Sequence, residues 1–225
     1  MRNLSLIGFI AALLLMQVLV GGAGLAYGFP GYLLLAVSAV PLWFVRDAEN
    51  SARLRFWRAV PALLFGLTVI VRSQLSPVEY LARWDFFLAL GILATYFAVA
   101  CHLTDSRQRA AIVAALLALA LVHVVTGVVQ FKEGNEYMLV PGIIRSKWEW
   151  RASGFYIYPN MLAGLLEMLT PIALSLCCWM RCKPWVRVLF GYSVMMCMVG
   201  IAMTGSRGGY LSIVVGLLVF AIISL

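Results

Sequence analysis

Residues 110–131, AAIVAALLALALVHVVTGVVQF, run for 22 positions with one histidine and no Asp, Glu, Lys or Arg. At 1.5 Å per residue such a stretch makes a helix of about 33 Å, enough to cross the ~30 Å hydrocarbon layer of a bilayer. In lipid every backbone polar group must be satisfied inside the structure, so a run like this folds as a helix or not at all. It is not alone. Comparable apolar stretches occupy approximately residues 4–24, 29–45, 58–74, 85–103, 155–180, 187–204 and 209–225, of which AVPALLFGLTVIV, in the third, is the weakest. The expectation is an all-α, polytopic integral membrane protein with about eight transmembrane helices. Residues 1–225 then form a single helical domain, since no fixed-period repeat and no Pro-, Gly- or Ser-rich linker divides them.

Composition agrees. Apolar residues make up 64% of the chain and charged residues 12%, against about a quarter charged in a soluble domain. The formal net charge of +8 could suggest nucleic acid in a soluble protein. Here the basic residues lie in loops between apolar runs, where they set orientation, and nucleic acid is not expected as a partner. With the N-terminus cytoplasmic, ten of the seventeen Lys and Arg fall inside. Arg72, Arg83, Lys132, Arg145, Lys147, Arg151 and Arg207 fall outside. The N-terminal stretch could pass for a signal peptide, but it is long for one and a second apolar run follows almost at once, which favours a retained helix. Trp148, Trp150, Tyr156 and Tyr158, at the end of the longest loop, fit an interfacial aromatic belt.

The five cysteines lie in or beside apolar segments, and CCWMRC (177–182) has neither a nearby histidine nor paired zinc-ligand spacing. They read as small hydrophobes. His102 ends a helix, and His123 lies mid-helix, where a buried interhelical hydrogen bond is favoured over catalysis. No metal-ligand set or nucleotide-binding glycine motif is visible, so neither metal nor cofactor is expected.

Two stretches do carry polar chemistry. In the sixth segment Asn160, Gly164, Glu167 and Pro171 follow i, i+4, i+7, i+11 and share one helical face. A carboxylate at that depth faces a bundle interior or a wet cavity, so Glu167 is either a site residue or a hydrogen-bonded interhelical contact. Pro159 belongs at a helix start and Pro171 would kink the interior. The second stretch, TGSRGG (204–209), joins two apolar runs with almost no loop. Its backbone N–H groups and the following helix N-terminus can form an anion-binding concavity. Arg207 adds a planar fork suited to phosphate oxygens. A snorkelling arginine beside a tight turn is the alternative.

RASGFYIYPNMLAGLLEM followed by MTGSRGGYLS resembles the O-antigen ligase and polymerase superfamily of bacterial inner-membrane glycosyltransferases. The resemblance covers about residues 151–210 and is nearest to ligase-like members that read Gly-x-Tyr/Phe-x-x-Pro-Asn before an apolar helix. It implies transfer of a glycan from an undecaprenyl-pyrophosphate carrier, on the periplasmic side, to lipid A-core, a growing polysaccharide or a protein. It implies that Arg207 binds the pyrophosphate leaving group and that Arg151 assists. Ser206, Gly208, Gly154, Asn160 and Glu167 would then line the substrate site. Family members use a histidine in a large periplasmic loop after the Ser-Arg-Gly motif as acceptor base, and neither His102 nor His123 matches it. The reading therefore takes these 225 residues as the N-terminal part of a longer protein, inactive alone. A lipid-linked oligosaccharide flippase, or a structural membrane protein with interfacial arginines, are the other classes. No paired broken helices of the transporter kind are visible.

Overall fold

The computed structural model describes residues 2–19, 25–44, 56–102, 105–133, 138 and 150–224. Among them lie eight helices: α1 (Arg2–Val18), α2 (Leu25–Phe44), α3 (Phe56–Gln74), α4 (Glu79–His102), α5 (Ser106–Glu133), α6 (Pro159–Trp179), α7 (Pro184–Thr204) and α8 (Arg207–Ser224). No strand occurs among the described residues. Each expected apolar run is found as one helix.

Helix and membrane span are not the same thing, however. Among the described residues four helical stretches are long and apolar enough to cross a membrane: Ser106–Lys132, Pro159–Trp179, Pro184–Thr204 and Arg207–Ser224. In the first half the apolar stretches are shorter: Leu4–Val18, Tyr27–Ser38, Ala59–Gln74 and Asp85–Phe97. α4 shows the reason. It has 24 residues, but Glu79, Arg83 and Asp85 occupy its first two turns, and Glu79 and Arg83 pair there at 3.2 Å.

The chain divides into two compact units, Met1–Met16 with Gly24–Ile112, and Gln17–Ala23 with Val113–Leu225. In the first, α2 and α3 each pack on α4. A Cβ on Gly91 would stand 2.7 Å from the Tyr32 ring, so this glycine is what lets α2 and α4 approach.

The second unit is built around α6. Leu162, Leu165, Leu166, Leu169 and Ala173 recur at helical spacing and face the core. There they meet Leu117, Ala120 and Val124 of α5, Cys197 and Ile201 of α7, and Ile213 of α8. Gly200 lets α7 close on this face, because a Cβ would lie 2.6 Å from Leu166 and 2.7 Å from Val124. Gly209 does the same for α8, with Ala163 Cβ 2.9 Å away. Beyond Ile213, α8 exposes Val214, Leu218, Ile222 and Ile223, an apolar flank compatible with lipid.

Helix ends follow local chemistry. Pro159 and Pro184 sit in the first turns of α6 and α7, where a missing N–H leaves no gap in the ladder. Pro171 lies inside α6, so the carbonyl of Glu167 loses its intrahelical donor. α7 stops at Gly205, which adopts a left-handed conformation with φ 61°.

Candidate functional site

The turn from α7 to α8 is built from a left-handed glycine and a capping serine. The Gly205 N–H bonds back to Ala202 O at 3.3 Å. Ser206 then caps α8: its hydroxyl accepts the Gly209 N–H at 3.2 Å and its carbonyl accepts the Tyr210 N–H at 3.0 Å. The Ser206 N–H is itself held by Thr204 Oγ1 at 3.2 Å. The N–H groups of Arg207 and Gly208, the first two residues of α8, make no backbone hydrogen bond among the described residues. They add the positive end of the helix dipole to this corner.

Arg151 arrives from the segment before α6. Its Nε donates to Thr204 O at 2.7 Å, and its Nη2 reaches Asn160 Oδ1 at 3.5 Å. The next residue, Ala152, donates its N–H to Met203 O at 2.9 Å. The half-buried Arg151 is thus fixed between the end of α7 and the start of α6. Arg207 is exposed, and its guanidinium has no hydrogen-bond or ion-pair partner among the described residues. Glu167 likewise has no ion pair there.

These groups line one cavity of about 500 Å³. Six of the seven residues singled out from sequence lie on it: Arg151, Asn160, Glu167, Ser206, Arg207 and Gly208. Ala163, Gly164, Gly205 and Gly209 complete the lining. Asn160, Gly164 and Glu167 form the α6 wall, spanning about 10 Å of helix rise over seven residues. Arg151 stands at the Asn160 end, where it touches Asn160, and α8 meets this wall where Gly209 packs on Ala163. A Cβ on Gly164 or Gly208 would meet nothing within 4 Å, so both glycines face open space.

The seventh residue, Gly154, is elsewhere. It is buried with φ 60°, and a Cβ on it would stand 2.5 Å from His123 Nδ1. It serves the loop rather than the cavity. Around it lies a polar cluster that the sequence reading did not assemble. Gln130 Oε1 accepts the N–H groups of Ser153 and Gly154, each at 3.0 Å, while its Nε2 donates to Gly154 O at 2.8 Å. His123 Nδ1 accepts the Phe155 N–H at 3.2 Å. The expected partner of His123, a neighbouring helix, is thus a loop backbone. His123, Gly127 and Gln130 follow i, i+4, i+7 on α5, the same pattern that marked Asn160, Gly164 and Glu167, and this was the available signal.

Of the expected aromatic belt, Trp150 and Tyr158 are exposed and Trp148 lies outside the described residues. Tyr156 differs. It is buried, stacks on His123 with ring centroids 4.9 Å apart and donates its hydroxyl to Gln17. Burial pushes its phenol above the ordinary range, which keeps it a donor. His102 closes α4, and its side chain is outside the described residues.

Fold and site together define an all-helical protein, compatible with a membrane protein, that carries a cationic cavity at one end of its α6–α8 bundle. Compared with protein-family models, curated proteins and solved structures, the chain matches none.

Proposed function

We propose that this protein is a multi-pass inner-membrane glycosyltransferase of the O-antigen ligase type. It moves a glycan from undecaprenyl-pyrophosphate to lipid A-core, a polysaccharide or a protein on the periplasmic side. The observation that carries the reading is the convergence of Arg151, Arg207 and the first turn of α8 on one cavity. An anion is what such a set recognises. Arg207, unpaired among the described residues and at the helix end, takes the pyrophosphate. Arg151, already held by Thr204 and Asn160, supplies a second fixed charge.

In transfer, the acceptor oxygen bonds to the anomeric carbon as the bond from that carbon to the diphosphate breaks, and negative charge gathers on the departing phosphate. Pre-fixed donors aimed at that charge lower the barrier because they need no reorganisation. Ser206 can still donate its hydroxyl proton while its oxygen caps α8. The acceptor's proton goes to a general base, which the resemblance to the O-antigen ligases implies is a histidine.

The test uses the full-length protein in vesicles loaded with lipid-linked donor and an acceptor. Arg207→Ala and Arg207→Lys should each lower transfer by about 10²-fold or more, with expression and insertion unchanged. Wild-type transfer by Arg207→Ala would remove the pyrophosphate role. Movement of donor across the bilayer with no new glycosidic bond would instead support the flippase reading.

A further inference from the structure

Arg151 depends on a short segment without regular structure, and that segment is held from below. Residues 151–158 form no helix or strand, yet Ala152, Ser153, Gly154, Phe155 and Tyr156 are all buried. Their backbone groups need partners away from water. α5 provides them through one face. Gln130, fully buried, makes three hydrogen bonds of 2.8–3.0 Å to Ser153 and Gly154. One turn away, Gly127 leaves space that Ala152 fills, since a Cβ there would stand 2.9 Å from Ala152 Cβ. At the next turn His123, also fully buried, accepts the Phe155 N–H. The three α5 residues thus meet the segment at successive positions: Gly127 against 152, Gln130 against 153–154, His123 against 155.

We propose that Gln130 and His123 are positioning residues for the anion cavity, holding the backbone from which Arg151 reaches Thr204 and Asn160. The proposal rests on the reading of that cavity as a pyrophosphate site. A side-chain amide suits this task because one Gln can accept from two adjacent N–H groups and return a donor to the carbonyl that follows them. A glycine at 154 is required by the same arrangement, for its left-handed backbone and its closeness to His123. His123 contributes as an acceptor. Because Nδ1 accepts, the neutral ring carries its proton on Nε2, and that atom has no partner among the described residues. Nothing in this role needs the proton to move.

Binding of inorganic pyrophosphate to the purified full-length protein, measured by calorimetry, separates a positioning role from general support. Arg151→Ala should weaken binding about 10-fold. Gln130→Ala should weaken it by a similar factor, and the Gln130→Ala/Arg151→Ala pair should bind no worse than Arg151→Ala alone, because both act through one guanidinium. Combined with Arg207→Ala, the effect of Gln130→Ala should instead multiply. If Gln130→Ala does not fold, Gln130→Met, which keeps the volume but removes the amide, should show the same loss and is read against the same partners. His123→Asn, which places an acceptor where Nδ1 stood, should bind within about 3-fold of wild type, whereas His123→Leu should lose as much as Arg151→Ala. Wild-type binding by both position-130 variants, or a loss that multiplies with Arg151→Ala, would overturn the positioning role. Wild-type binding by both Arg151→Ala and Arg207→Ala would instead remove the pyrophosphate reading beneath it.

Discussion

Of the two arginines at this cavity, Arg151 is held by hydrogen bonds and Arg207 has no partner among the described residues. Arg151 has a carbonyl and an amide oxygen within reach, and Gly205 packs against its Nε. A Cβ at 205 would lie 3.2 Å from that nitrogen on a left-handed backbone. Gly205→Ala should therefore destabilise the protein by about 1–2 kcal/mol, from the backbone conformation, and shift Arg151 as well. Thermal melts together with pyrophosphate titration would show both effects; unchanged binding would mean that Arg151 does not need this contact. Gly164 gives the opposite case. It has no positive φ and no neighbour where a Cβ would go, so a side chain there would enter the cavity that it lines. Gly164→Ala should raise stability, by up to about 1 kcal/mol, and Gly164→Leu should nonetheless reduce pyrophosphate binding at least 10-fold. Normal binding by Gly164→Leu would show that the ligand lies elsewhere. The sequence made these residues legible because their polar and glycine positions stood out against apolar surroundings. Gly154 stood out too but faces His123 and not this cavity, and a glycine just before a helix looks the same in either place.

At the scale of helices, eight apolar runs became eight helices, and the ends at Pro159, Pro184 and Gly205 follow from fixed φ, missing N–H groups and left-handed freedom. What periodicity could not show is which faces meet. α5 is apolar nearly all round, so His123 and Gln130 interrupt it without defining an amphipathic side, and their partner is a loop with no period of its own. The close approach of α8 to α6 was hidden for a related reason: Gly208 and Gly209 look alike in sequence. In the fold Gly208 faces open space, while Gly209 lies where a Cβ would be 2.9 Å from Ala163. Gly209→Leu should overpack this contact by about 1–3 kcal/mol and carry Arg207 away from the cavity. Gly216→Leu, on the same helix with nothing within 4 Å, should leave stability and binding nearly unchanged. Equal losses from the two variants would mean that the α6–α8 contact is not what places Arg207.

For the whole molecule, the reading requires α6 to cross the bilayer with its arginine end outward. With 21 residues α6 is about 31 Å long, so Tyr158 before it and Lys183 after it are separated by roughly the thickness of the hydrocarbon layer. Both are exposed, and α7 returns the chain from Lys183 to Thr204 beside Arg151. The expected topology puts the basic turn at Arg181, Lys183 and Arg187 on the cytoplasmic side, with ten of the seventeen Lys and Arg inside. In a full-length protein with its cysteines replaced by alanine, Tyr158→Cys should react with a membrane-impermeant maleimide on spheroplasts. Lys183→Cys should react only after permeabilisation. The reverse pattern would turn the cavity toward the cytoplasm, where a periplasmic transferase has no use for it. Labelling of both from one side would mean that α6 does not cross, and a lipid-linked donor could then not reach Arg207 from within the bilayer plane.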